Sequence, residues 1–219
     1  MVTQKNIVKV LDTLLKQKHL FKHTALTEVS THYNTPFHVL ISCILSLRTK
    51  DQVTGPASLR LFQLADTPQN ILKLHLHHIE KAIYPVGFYK TKAKTIKRIC
   101  TTILEKHNGK VPDTLEELLT LKGVGRKTAN IVMVYGHGKE GMPVDTHCHR
   151  WPNRMGWIKT KTPEQTEMQL RALIPKKYWK IFNDLIVQFG QHVCTPISPH
   201  CSSCPIQKYC LQIGVIRNR

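Results

Sequence analysis

Apolar positions recur with a helical period along almost the whole chain. Residues 7–15 set Ile7, Val8, Val10, Leu11, Leu14 and Leu15 mostly on one face, with Lys9 and Lys16 off it, which predicts an amphipathic helix. From Phe37 to Leu47 nearly every position is apolar, the pattern of a helix buried on all sides. Asp51 then stands where it can cap a following helix, which Gly55-Pro56 is expected to interrupt or delay. The clearest period runs from about Thr91 to His107. There Ala93, Ile96, Ile99, Cys100, Ile103 and Leu104 form the apolar stripe, Lys90, Lys92, Lys94 and Lys97 crowd the N-terminal half, and Asn108-Gly109 supplies a stop. Pro112-Asp113 introduces a short helix, with Asp113 and Glu116 at capping-box spacing. Further helices are expected over 163–173 and 177–191. Strand-type alternation is nowhere sustained and no internal repeat occurs, so the fold class is all-α with short connections.

Composition narrows the function. The 219 residues suffice for one large domain or two small lobes. Lys plus Arg number 32 against 14 for Asp plus Glu, a formal charge of +18. So basic a body repels itself, and a polyanion relieves the repulsion; nucleic acid is the commonest candidate. The basic residues are interleaved with apolar ones, and a hydrophobic content of 41% marks a globular protein and not a basic linker. No apolar run approaches the length of a membrane span and no signal-peptide pattern opens the chain, which sets aside the membrane and secreted classes. The acid-poor opening stretch has no Arg before Arg48, so it reads as a structural helix and not as a transit peptide.

Seven cysteines, an odd number, cannot all pair in internal disulfides. Cys43, Cys100 and Cys148 are scattered and read as small buried hydrophobes. The other four, Cys194, Cys201, Cys204 and Cys210, crowd into one segment, as at a metal or cluster site in a reducing compartment. Four thiolates there can hold zinc or an iron–sulfur cluster. Structural zinc sites usually pair two short knuckles, whereas this segment has one C-x-x-C flanked by single cysteines at unequal spacing.

Leu121-Lys122-Gly123-Val124-Gly125-Arg126-Lys127-Thr128-Ala129-Asn130 lies between two helical stretches. Gly123 and Gly125 permit a tight turn and close approach of a ligand to bare backbone, and the next helix would offer its free N–H groups to a phosphate oxygen. The nucleotide-type G-x-x-x-x-G-K-[ST] loop is absent. Lys127 stands near the helix N-terminus and beside Arg126, two influences that disfavour an ammonium; a lysine attacks as a nucleophile only when neutral. Asp145 follows eighteen residues later, where it can cap a helix beginning at Thr146.

LKGVGRKTAN resembles the helix-hairpin-helix of the endonuclease III family of DNA glycosylases. Val144-Asp145-Thr146-His147, followed by Asn153-Arg154-Met155-Gly156, resembles that family's aspartate loop and next helix. The C-x6-C-x2-C-x5-C spacing is similar to its [4Fe–4S] motif, and weaker similarity runs back through Val86-Gly87-Phe88-Tyr89 and Leu45–Asp51. The resemblance covers nearly the whole chain. It implies two helical lobes with DNA in the cleft: a six-helix lobe over 28–139, and a cluster lobe of 1–27 with 140–219. It implies a bifunctional glycosylase and AP lyase of base excision repair that removes oxidised pyrimidines. In that chemistry Lys127 attacks C1′ and forms a Schiff base, Asp145 activates the lysine and stabilises positive charge on the sugar, and β-elimination breaks the strand.

The same resemblance implies that Gly123, Val124, Gly125 and Arg126 bind the DNA backbone, and that Cys194, Cys201, Cys204 and Cys210 hold a [4Fe–4S] cluster. Arg48 stands where the family has a base-replacing glutamine, and Phe88 where a leucine is common; both side chains can stack on bases. A phosphate contact for Arg48 and a core position for Phe88 are the alternatives. The loop Thr195–His200 is basic in the family, whereas here only His200 can carry positive charge. Adenine-specific relatives carry a catalytic glutamate near Cys43, but no acid lies between Ser30 and Lys50. His147 and His149, two apart on a helix, point to different faces and read as structural or DNA-facing. The implied partner is double-stranded DNA with a damaged base or abasic site, bound by a monomer, with no membrane. In a prokaryote the protein would be cytoplasmic and nucleoid-associated. Two other classes stay open: an iron–sulfur module that binds damaged or abasic DNA without catalysis, and a zinc-dependent endonuclease, for which the 14 scattered acids supply no carboxylate-rich site.

Overall fold

A computed structural model describes residues 3–17 and 33–219. In chain order the helices are α1 (Gln4–Lys16), α2 (Pro36–Ser46), α3 (Asp51–Leu64), α4 (Pro68–Lys73), α5 (Leu76–Ile83) and α6 (Tyr89–Lys106). There follow α7 (Leu115–Thr120), α8 (Arg126–Ile131), α9 (Thr146–Met155), α10 (Pro163–Leu173) and α11 (Trp179–His192). Among the described residues there is no strand, and no helix is long and apolar enough to cross a membrane. The chain divides into two compact units, whose described parts are 33–141 and 3–17 with 142–219. The expected boundary between residues 27 and 28 lies outside the described residues.

The first unit is built around α2. Thr35 caps it by accepting from His38 N, Pro36 opens it, and Phe37 through Leu45 are all buried, as the unbroken apolar run requires. α3, α6 and α8 pack on it, together with a π-helical turn, Val132–Gly136, that prolongs α8. Pro36 lies so close to Gly136 that a Cβ there would sit 2.9 Å from its Cα.

Three expectations need correction here. α3 runs unbroken through Pro56, because the one ladder bond lost near its start is offset by burial of Ala57, Ser58, Leu61 and Phe62. Asp51 is the first residue of α3 and not its cap. The cap of α7 is Thr114, one residue later than expected: its hydroxyl accepts from Glu117 N and lies 2.8 Å from Glu117 Oε2, while the Asp113 carboxylate is taken by Lys139 Nζ at 2.6 Å. In α6 the stripe Ala93, Ile96, Ile99, Cys100 and Ile103 is buried, and the helix stops at left-handed Asn108 and Gly109, with Gly109 N donating to Ile103 O.

The second unit packs Ile7, Val10, Leu11 and Leu14 of α1 into one core with Trp151, Phe182 and Phe189. The two phenylalanines are fully buried and contribute roughly 1.5–3 kcal/mol each. The Tyr178 hydroxyl donates to Asp12 Oδ1 at 2.7 Å and ties α1 to the entrance of α11. After α11 the chain has little regular structure, and the four clustered cysteines fall in this part.

Candidate nucleic-acid interface and cluster site

The glycine hairpin joins α7 to α8. Leu121 and Val124 are buried and anchor it, with Val124 N donating to Leu121 O at 2.9 Å, while Gly123 and Gly125 are exposed. Gly123 has φ +95°, and a Cβ there would meet Thr95 Cγ2 at 2.8 Å, so both the turn and its seat on α6 require glycine. Arg126 and Lys127 are the first two residues of α8 and are half-buried. Buried Cys43 of α2, the helix on which α8 packs, lies within reach of the Lys127 charge. Burial pushes its thiol up to about 12, and the Lys127 charge pulls the other way. Cys43 therefore stays protonated near neutrality. Cys43, Cys100 and Cys148 are all buried, as expected.

Arg48 and Phe88 belong to the same unit and come together. They line one cleft of about 400 Å³ with Ile44, Leu47, Thr91, Lys92, Thr95 and Gly123. Both are non-glycine residues in the left-handed region, with φ +54° and +58°. The core alternative for Phe88 is excluded, since its ring is 63% exposed; Arg48 is exposed as well.

Asp145 belongs to the second unit. It caps α9, Oδ1 accepting from Cys148 N at 2.8 Å. The two histidines of α9 diverge as expected: His149 Nδ1 pairs with Thr166 Oγ1 at 2.7 Å, and His147 Nδ1 with an Arg150 Nη at 3.0 Å.

Cys194, Cys201, Cys204 and Cys210 line one cavity, walled also by Trp151, Met155, Phe189 and Ile206. Among the described residues, no three His, Cys, Asp or Glu side chains converge on a point that one ion could occupy. Four sulfurs around a hollow in an apolar wall suit a multi-atom cluster better than a lone tetrahedral ion. Burial pushes Cys204 up to about 11, and it lifts Cys201 and Cys210 too, with neighbouring thiolates adding to each. Four thiolates this close require a cationic centre to neutralise them. The donor set fits an iron–sulfur cluster.

Residues 41–176 match the family described as HhH-GPD superfamily base excision DNA repair protein, and residues 194–210 match the iron–sulfur binding domain of endonuclease III. Endonuclease III of Thermotoga maritima is 47% identical over 189 residues, 84% of this chain and 89% of that protein. The chain belongs to the endonuclease III family. Endonuclease III of Haemophilus influenzae is 36% identical over 89% of this chain and 95% of its own, whereas the chain spans 47% of the length of Arabidopsis thaliana endonuclease III homolog 2. A solved structure of a trapped endonuclease III–DNA covalent intermediate superposes with a TM-score of 0.85 at 33% identity over 97% of each chain. A thermostable thymine-DNA glycosylase at 24% identity shares the fold, with a TM-score of 0.83.

As in that family, the C-terminal segment is a [4Fe–4S] domain. Two arginines of this endonuclease III chain, buried Arg154 and half-buried Arg150, carry a role that the motifs did not assign. Arg154 donates to Cys194 Sγ at 3.3 Å, Thr195 O at 2.9 Å and Pro196 O at 3.1 Å; Arg150 donates to Cys194 O at 2.8 Å. Their guanidinium groups hold the cluster loop and set positive charge beside its first sulfur. Lys92, one of the four lysines that crowd the N-terminal half of α6, is only 7% exposed. Its Nζ donates to Leu45 O at 2.7 Å, Leu47 O at 2.5 Å and Thr49 Oγ1 at 3.1 Å. Burial lowers its pKa to about 8, so the ammonium form, which alone has three N–H donors for three acceptors, prevails near neutrality. The signal was in the sequence: Lys92 precedes Ile96 by one helical step and so falls on the buried stripe.

Proposed function

We propose that this protein is a bifunctional DNA glycosylase and AP lyase that removes oxidised pyrimidines from duplex DNA. One observation carries the reading: Lys127 occupies the second position of the helix that leaves the Gly123–Gly125 hairpin, half-buried, and its neighbour Cys43 is kept protonated and cannot compete as a nucleophile. The exposed hairpin backbone at Gly123 and Gly125, pinned by Val124, grips DNA phosphates together with Arg126.

In the proposed mechanism Lys127 Nζ attacks C1′ of the damaged nucleotide as the glycosidic bond breaks. The base leaves with the electron pair and a proton. Asp145 draws a proton from the amine and stabilises the positive charge that develops on the sugar. Opening of the sugar ring at O4′ leaves a Schiff base to Lys127. Loss of a C2′ proton then expels the 3′ phosphate, and water releases the enzyme. Arg48 and Phe88 enter the duplex where the base has left the stack. Cys194, Cys201, Cys204 and Cys210 are the ligands of the [4Fe–4S] cluster, which supplies structure to the C-terminal segment and takes no part in these steps. The protein works as a monomer of two lobes, 28–139 and 1–27 with 140–219, and its seven cysteines, none of them in a disulfide, suit a reducing compartment: the cytoplasm, on the nucleoid, in a prokaryote.

The test is borohydride trapping, because borohydride reduces a Schiff base to a stable amine. Wild-type protein turning over a thymine glycol duplex should become covalently attached to DNA, and Lys127→Gln should not, although it still binds the duplex. An adduct formed equally well by Lys127→Gln refutes the assignment of the nucleophile. No adduct with wild type would instead identify a module that binds damaged DNA without catalysis.

A further inference from the structure

The two loops that carry Arg48 and Phe88 are wired to a single buried group. Lys92 projects from the first turn of α6 onto the C-terminal end of α2. It meets the free carbonyls of Leu45 and Leu47, where the helix dipole favours a cation. Its third N–H goes to the Thr49 hydroxyl. That hydroxyl also accepts from Gly87 N at 3.1 Å and donates to Leu47 O at 3.4 Å. One proton and two lone pairs are thus all committed.

The contact with Gly87 is close on both counts: a Cβ there would lie 2.9 Å from Arg48 O and 3.4 Å from Thr49 Oγ1. Backbone therefore rests on backbone between Arg48 and the residue preceding Phe88. From the far side, Arg60 donates to Ala82 O at 2.9 Å and Tyr84 O at 2.6 Å, fixing the start of the 84–88 turn. Arg48 and Phe88 each hold a left-handed conformation that a non-glycine residue keeps only when its surroundings enforce it. The enforcing contacts are those of Lys92, Thr49 and Gly87.

We infer that Lys92, acting through the Thr49 hydroxyl, is the positioning residue that holds Arg48 and Phe88 in one rigid arrangement, so that the two enter a duplex as a unit. The inference rests on the insertion of Arg48 and Phe88 into DNA proposed above. Lys92 itself touches neither the base nor the sugar. It sets the separation and direction of two side chains that do, and this makes it a determinant of how the protein distinguishes the base opposite a lesion.

The experiment uses the cluster-loaded full chain with Lys92→Met, Thr49→Val, Thr49→Ser, Arg48→Ala and Phe88→Ala. One probe is a duplex with thymine glycol opposite 2-aminopurine, which brightens when unstacked. The other is a single-stranded oligomer with an abasic site, which has no opposite base to displace. Lys92→Met and Thr49→Val should lose the brightening and slow base release from the duplex by roughly 10–100-fold, as misplacement of positioning groups does. They should match Arg48→Ala and Phe88→Ala, and cut the single-stranded abasic oligomer within about twofold of wild type. Thr49→Ser keeps the hydroxyl and should behave as wild type, and this pair decides the matter if Lys92→Met folds poorly.

Wild-type brightening and duplex activity in Lys92→Met and Thr49→Val, while Arg48→Ala and Phe88→Ala fail, overturns the inference and leaves the insertion reading intact. Equal losses on both substrates also overturn it, since they mark a general structural role. If Arg48→Ala and Phe88→Ala act as wild type, the insertion reading falls and the inference with it. Absence of both base release and strand cutting in wild type removes the proposed function itself.

Discussion

Asp145 has two separable jobs, and a pair of substitutions divides them. Its Oδ1 accepts from Cys148 N at 2.8 Å, so it caps α9, and its charge lies at the N-terminal end of that helix. Asn keeps the capping oxygen and loses the charge; Ala loses both. The charge–dipole term is worth about 0.3–1 kcal/mol, and the cap about 1 kcal/mol more. For a chain of this length, about 1 kcal/mol moves the melting temperature by roughly 2–4 °C. Asp145→Asn should therefore melt within about 4 °C of wild type, and Asp145→Ala roughly 2–4 °C below Asp145→Asn.

Catalysis should follow the other division. Loss of a preorganised charge at a developing cation removes about 10²–10³-fold in base release, equivalent to about 2.7–4 kcal/mol, and both variants should suffer it alike. Single-turnover release of thymine glycol measures that step, and cleavage of a pre-formed abasic site, where no glycosidic bond remains, should be far less affected. Base release by Asp145→Asn within a few-fold of wild type would refute the electrostatic argument. A graded loss in which Ala is much worse than Asn would show that the cap, not the charge, matters.

Three further outcomes are expected. The logarithm of DNA affinity should fall linearly with the logarithm of salt concentration, by about 0.9 per phosphate neutralised, and a slope near zero would sink the assignment of the +18 charge to phosphate contacts. Anaerobically purified protein should hold about four irons, whereas Cys204→Ser should lose the visible absorption and the order of the C-terminal segment before any change in Lys127 chemistry; one zinc per chain would refute the cluster assignment. For Lys92 the folded pKa of about 8 lies below the ordinary lysine value of 10.5, so between them the unfolded chain binds more protons and stability rises with pH. Denaturant titrations at about pH 7.5 and about pH 10 should show wild type gaining on Lys92→Met, and a difference independent of pH contradicts the sign.

The helices were legible because their apolar periods are long and clean. α2, α6, α10 and α11 emerge close to their expected limits, since each buries a stripe or a whole circumference. The misses share another origin. Pro56 reads locally as a break, and only the burial of Ala57, Ser58, Leu61 and Phe62 explains why the helix persists. Asp113 and Thr114 are equally good caps in sequence, and the choice is made by Lys139, twenty-six residues from Asp113. Nothing in the spacing of Arg150 and Arg154 announces that they donate to the carbonyls of residues 194–196. The motifs gave Lys127, Asp145 and the four cysteines as candidates, because their chemistry is carried by residue type at fixed spacing. The groups that hold the loops are chosen by distant backbone acceptors, which no spacing reveals.

The left-handed geometry of Arg48 and Phe88 has a kinetic meaning. A substantial minority of proteins rearrange loops on meeting a partner, and such rearrangement slows capture. Here the awkward conformations are already in place when folding ends, so on the proposed reading each encounter with a base pair demands rearrangement of the DNA alone. A protein scanning long stretches of sound duplex would then move at a speed set by how readily each step in the helix yields. Weakly stacked lesions would announce themselves by yielding first.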